Sequence, residues 1–186
     1  MTRRAATGKP RSLGSGGSMV AKLKLQLSSS IILIRLSLQK RGRKMVQWSQ
    51  AELDVIQGKW AALDPEKFGG KALARMFVVY PWTKRYFGKF GGRFKASDPV
   101  VMEHGAKVMG KMQVAAKDPE KIKEIFEYLS KRHSDTIHVD PENFKLLGSC
   151  MLVEMAMTKG DWSPEIEAIN HKFVDVSIAA LSRKYH

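Results

Sequence analysis

Two histidines sit where an aliphatic side chain would be the default. Ile122, Ile125, Phe126, Leu129, His133 and Ile137 recur at intervals of three or four, which predicts one apolar stripe on a helix with His133 within it. Val101, His104, Val108, Met112 and Ala115 form a second stripe of the same period, with His104 inside it. A single inward histidine is ordinarily a core residue satisfied by hydrogen bonds. Two of them, on two different helices, could hold something between them. Zinc asks for three or four close nitrogen or sulfur ligands, and the chain has one Cys, no CxxC and no HxxxH. An iron macrocycle suits the pair better, because it brings four ligands of its own and the protein adds an axial imidazole.

The elements that must position these residues are written in the helix starts. Ser49-Gln50-Ala51-Glu52 is a capping box. Asp64-Pro65, Asp98-Pro99, Asp118-Pro119, Asp140-Pro141 and Ser163-Pro164 each set a capping oxygen before a proline, which has no N–H to lose at the first helical position. No Asn-Gly or Asp-Gly turn separates alternating runs. An all-α chain follows, with helices near 49–61, 64–79, 80–86, 99–117, 120–134, 141–158 and 164–184. Gly69-Gly70 interrupt a good helix at roughly 1 kcal/mol each, which points to close approach of another helix, with Gly105 the natural partner. The segment 88–97 (GKFGGRFKAS) is basic, Gly-rich and expected to be irregular.

The formal charge of +14 is unevenly spread. Residues 1–44 hold 11 of the 32 Lys and Arg and no acid, so residues 45–186 carry 21 bases against 18 acids, a balance of +3. The chain is therefore read as an N-terminal extension, 1–44, and one domain, 45–186, long enough for a proper core and without a case for nucleic acid. The extension has the composition of a disordered segment. Within it Leu23, Leu25 and Leu27, then Ile34, Leu36 and Leu38, alternate as in a strand. Rich in Arg and Ser and free of acids, it fits a mitochondrial transit peptide, or it is translated upstream sequence without function. No apolar run reaches the roughly 20 residues of a membrane span, and a single Cys agrees with a reducing cytosol.

Three stretches, VVYPWTKRYF (78–87), HGAKV (104–108) and HVDPENFKLLG (138–148), in this order and at these intervals, resemble the β-type chains of vertebrate haemoglobin, as does the terminal Arg183-Lys184-Tyr185-His186. The resemblance runs from Met45 to His186. It implies a globin fold of six to eight helices around haem b, with the short fourth helix missing because the 88–97 stretch is a few residues short. It implies His133 as proximal iron ligand, its second ring nitrogen donating to Ser130 or to the Leu129 carbonyl, and His104 as distal donor to dioxygen beside Val108. Phe87 would wedge the haem, Leu129, Val139, Asn143, Phe144 and Leu147 would wall it, and Lys107 would meet a propionate.

The same resemblance implies partners: α-type globin chains in an α2β2 tetramer inside the red cell, with no membrane association. Trp82, Arg85, His138, Asp140 and Asn143 match the contact that repacks between quaternary states; His138 matches the corner histidine that jumps one helical turn between those states. Tyr185 and His186 match the proton-linked tail, with Asp135 the partner of His186. Lys123 and Arg183 match a central site for organic phosphate, although Gln47 departs from the basic residue of that site and a retained extension removes the free amine at Val46. Two further readings compete with the oxygen carrier: a monomeric globin doing nitric-oxide or peroxide chemistry, which would show added polar groups around His104, and a globin addressed to a mitochondrion or membrane by residues 1–44.

Overall fold

The computed structural model describes residues 46–158 and 160–185, so the strand-like pattern of the extension, and His186, lie outside the described residues. Six α-helices carry the fold: α1 (Gln50–Ala61), α2 (Pro65–Val79), α3 (Pro99–Lys117), α4 (Ile122–Arg132), α5 (Glu142–Ala156) and α6 (Pro164–Leu181). No strand occurs among the described residues. A 3-10 segment, Pro81–Phe90, follows α2; a 3-10 turn, Pro119–Lys121, precedes α4; and a π-helical turn, His133–Ile137, ends it.

Local chemistry explains the starts. Ser49 Oγ accepts from Glu52 N at 3.2 Å and the Glu52 carboxylate accepts from Ser49 N at 2.7 Å, closing the capping box. Asp64 accepts from Lys67 N at 3.0 Å and Ser163 from Ile166 N at 3.4 Å. Two of the expected caps go elsewhere. Asp98 turns its carboxylate back to Lys95 N, 2.8 Å away, bracing the loop before α3. Asp118 meets the Lys121 ammonium at 2.6 Å, an ion pair that outcompetes a neutral N–H. Asp140 does accept a backbone N–H, from Glu142 at 3.0 Å, so α5 begins one residue beyond Pro141.

Burial then assembles the bundle. Trp60 of α1 lies edge-on to Phe173 of α6, ring centroids 5.0 Å apart, and donates its indole N–H to Asn170 Oδ1 at 3.0 Å, so a fully buried Asn is satisfied by a fully buried Trp. Around them gather Ile56, Phe68, Met109, Met112, Phe126, Met151 and Met155. A second cluster, Leu73, Met76, Phe77, Phe90, Val101 and Cys150, underlies the 3-10 segment.

The predicted glycine crossing is real. A Cβ on Gly69 would run into the Gly105 carbonyl, and one on Gly105 into the Gly69 carbonyl carbon and Gly70 N. α2 and α3 therefore touch backbone to backbone, which is how His104, one residue before Gly105, is set at a fixed depth. Sequence reasoning passed over Gly148, whose Cβ would lie 2.8 Å from side-chain carbons of Val174 and Ile178, so there a glycine makes room for α6 side chains against α5.

Candidate haem site

His133 stands at the last turn of α4. Its backbone N–H reaches Leu129 O and Ser130 O, and its Nδ1 lies 2.7 Å from the same Leu129 carbonyl. A carbonyl only accepts, so Nδ1 carries the proton and Nε2 is left with a free lone pair. Of the two acceptors expected from the sequence, Leu129 is the one used. The Ser130 hydroxyl, itself buried, accepts instead from Lys184 N at 3.0 Å, tying the end of the chain to the turn before His133.

Beyond His133 the helix does not continue to 134 in α geometry. Residues 133–137 widen into a π turn, His138 takes the left-handed conformation at φ 53°, ψ 45°, and the His133 carbonyl accepts from both His138 and Val139. Ile137, expected on the buried stripe, is 42 % exposed as a result. The Phe144 ring from α5 meets the His133 ring edge-on at 5.3 Å and the Tyr185 ring at 6.1 Å. Leu129, Val139, Asn143 and Leu147 are half-buried around it.

On the other side, His104 is half-buried on α3, with Val108 one turn on. Burial, then the Lys107 ammonium and the His133 ring, hold its imidazole below the usual value, so it is neutral at pH 7. Phe87 lies perpendicular to it at 5.4 Å. Phe90, which the sequence reading passed over, lies at 5.8 Å, and Phe77 in turn touches Phe87, Phe90 and Phe94. The 3–4 spacing of Phe87, Phe90 and Phe94 was the available signal. The 3-10 helix runs through Phe90 rather than ending at 86, broken only at Phe87 (φ −117°, ψ 36°), and the irregular stretch begins at Gly91 and Gly92, both left-handed. Between Phe90 and Pro99 there is no α-helix, as expected from the shortened stretch.

The remaining residues fall as follows. Lys107 is exposed and paired with Glu103 at 2.6 Å. Trp82 is 55 % exposed. Arg85 donates to Tyr86 Oη at 2.8 Å, and Asn143 Nδ2 donates to the Asp140 carbonyl at 2.9 Å. Asp135 accepts from Ser134 Oγ at 2.6 Å; His186, its expected partner, is outside the described residues. The Tyr185 hydroxyl is buried without a hydrogen-bond partner among the described residues, and burial, then Asp140, push its pKa up. Lys123 and Arg183 are exposed. Two surface hollows, of about 500 Å³ beside Lys59 and Trp162 and about 620 Å³ beside Glu66 and Met102, include neither His104 nor His133 in their walls.

A second exposed surface was also missed. Val78 (78 % exposed), Val79, Val153 and Met157 stand on neighbouring faces of α2 and α5, joined where Arg75 Nε meets Glu154 at 2.7 Å. Only their exposure, invisible in a sequence, marks them.

The chemistry of the donor set fits haem. No group of three or more His, Cys, Asp or Glu among the described residues could hold a metal, whereas a planar group with its own four donors needs one free imidazole lone pair and aromatic walls, which His133, Phe87 and Phe144 supply.

The globin family model matches residues 70–181, a span containing both histidines and every wall residue named above. This chain belongs to the globin family. Haemoglobin subunit beta of Heterodontus portusjacksoni is 44 % identical over 142 residues, covering 76 % of this chain and all of that protein. The subunit beta of Silurus asotus is 39 % identical over 148 residues with the same coverage. Among solved structures, the deoxy form of haemoglobin from Dasyatis akajei superposes with a TM-score of 0.71 at 40 % identity, again over 76 % of this chain and all of that one. These relatives align with the globin domain, leaving about a quarter of the chain uncovered.

Proposed function

We propose that residues 45–186 form the β-type subunit of a haemoglobin, binding haem b and carrying dioxygen reversibly with α-type chains in red cells, as a carrier and not an enzyme. The observation that carries this reading is the His133 ring held by Leu129 O through Nδ1, close enough to act on a second, neutral imidazole, that of His104 on α3. Haem, when bound, supplies ferrous iron with one position open to dioxygen. His133 would hold that iron, and its ring plane is set by the Leu129 bond and the Phe144 edge. His104 donates from its protonated ring nitrogen toward dioxygen, and neutrality lets it do so without offering an acidic proton. Phe87, Phe90 and Val108 keep water off that side. Leu129, Val139, Asn143 and Leu147 would complete the wall, and Lys107, paired here with Glu103, would meet a propionate.

Two surfaces suit an α-type partner: the exposed Trp82 with Arg85, His138, Asp140 and Asn143, and the apolar strip of Val78, Val79, Val153 and Met157. Tyr185 and His186 with Asp135 form the proton-linked tail, and Lys123 with Arg183 the phosphate contact. No helix among the described residues is long and apolar enough to cross a membrane. Residues 1–44 are assigned to the N-terminal extension and lie outside this reading.

The test is the visible spectrum of the reduced chain with and without dioxygen, in the parent and in His133→Gly. Reversible spectra in the parent, lost in the variant and restored by added imidazole, support the assignment. A fully folded parent that takes up no haem refutes it.

A further inference from the structure

The apolar strip contains one side chain that chemistry can switch. Of the methionines described, Met76, Met109, Met112, Met151 and Met155 are buried and Met102 is half-buried, while Met157 at the end of α5 is 66 % exposed. Its sulfur is not idle. Arg75 Nη2 donates to Met157 Sδ at 3.0 Å while Arg75 Nε holds Glu154 at 2.7 Å, so the guanidinium spans α2 and α5 and terminates on the thioether. Val78 and Val79 follow Arg75 by three and four positions on α2, and Val153 precedes Met157 by four on α5, so all of them share this strip.

We infer that Met157 is a peroxide-sensitive modification site whose conversion to the sulfoxide releases the α-type partner from this face. The inference rests on the partner surface proposed above. A sulfur lone pair attacks one peroxide oxygen, the S–O bond forms as the O–O bond breaks, and the departing hydroxide takes the remaining proton and leaves as water. Sulfur loses two electrons and the peroxide gains them. The new oxygen is a far stronger acceptor than the thioether, so the Arg75 N–H that now meets sulfur meets oxygen instead, and a polar group stands one turn from the exposed Val153. A face suited to a dry, apolar contact then carries a hydrogen-bonded dipole that the partner must desolvate. Methionine sulfoxide reductases restore the thioether by a separate step, in which a pair of thiols gives two electrons and two protons, becomes a disulfide, and the sulfoxide oxygen leaves as water.

The experiment uses the full chain in carbon-monoxide-saturated buffer, treated with hydrogen peroxide and mixed with the α-type chain of Dasyatis akajei haemoglobin. Peptide mass spectrometry reads the oxidised site, and sedimentation reads association. The expected result is a sulfoxide at Met157 ahead of every other described methionine, with affinity for the α-type chain lowered roughly ten-fold and recovered after reductase treatment. Met157→Leu keeps an apolar side chain but has no sulfur to oxidise, so whatever its own untreated affinity, peroxide should leave that affinity unmoved; Met157→Gln, polar without peroxide, should associate more weakly than Met157→Leu. Oxidation elsewhere first, or equal association before and after oxidation of Met157, overturns the inference alone. An untreated chain that does not pair at all overturns it together with the proposed subunit role.

Discussion

Placing a methyl group on Gly105 is the sharpest test of how His104 is held. The Cβ of Gly105→Ala would overlap the Gly69 carbonyl carbon and stand 2.5 Å from Gly70 N, and both neighbours are backbone, which cannot rotate aside. Ordinary carbon contacts lie near 3.5–4.0 Å, so α2 and α3 must separate by roughly 1 Å. Overpacking of this kind costs about 1–3 kcal/mol, and with backbone on both sides the upper figure applies. The alanine returns about 1 kcal/mol of helix propensity, leaving a net loss near 2 kcal/mol. Gly110 lies on the same helix with nothing within 4 Å of its virtual Cβ, so Gly110→Ala keeps the propensity gain and meets no clash. Thermal melts followed by circular dichroism should therefore move in opposite directions. At about 2–4 °C per kcal/mol for a chain of this size, Gly105→Ala should fall by roughly 4–8 °C and Gly110→Ala rise by roughly 2–4 °C. Because His104 moves with its helix, Gly105→Ala should also bind haem more weakly. A Gly105→Ala chain that melts at or above the parent would refute the backbone crossing and the depth argument built on it.

Two more outcomes follow from buried polar groups. Trp60→Phe deletes the donor to Asn170 Oδ1 in a fully buried setting and should lose about 2–3 kcal/mol in urea unfolding; the double variant with Asn170→Leu should recover part of it, and strict additivity would show the bond carries nothing. Burial pushes the Cys150 thiol from 9.0 up to about 11, so at pH 8 the folded chain holds about a hundred-fold less thiolate and should react with iodoacetamide more slowly by at least that factor. Since the folded thiol keeps its proton where the unfolded one loses it, stability linked to Cys150 is whole below pH 9 and falls as the pH climbs toward 11; a Cys150→Ala chain should lack that slope.

Much of this was readable before any coordinates. The two histidines announced themselves by interrupting apolar stripes, and Gly69 with Gly105 by interrupting helices that should have preferred alanine. Capping by Ser49, Asp64 and Ser163 was equally plain; at Asp64 the Lys67 ammonium stays 3.8 Å from Oδ2, which leaves Oδ1 to accept the Lys67 N–H at 3.0 Å. Asp98 and Asp118 defeated the same rule for a physical reason: a loop N–H from Lys95 and an ammonium from Lys121 were better placed or more strongly charged. The end of α4 was misjudged because the periodicity of Ile137 says nothing of a widened turn. The Phe90–Phe94 wall and the Val78–Met157 strip were missed because an aromatic or a valine reads the same buried or bare. Their meaning came only from exposure and contact.

The rings gathered on Phe77 carry one last consequence. Residues 91–98 contain no α-helix, so the Phe94 ring is held by packing on Phe77 and Phe90 with Lys84 5.3 Å above it, and its neighbours only by local bonds of Arg93 to Phe90 O and of Lys95 N to Asp98. Packing of this sort loosens gradually with heat, whereas a laddered helix gives way at once. This rim should therefore be the first part of the domain to breathe: its amides exchange with solvent earliest, and a bound prosthetic group escapes from this edge long before the bundle comes apart.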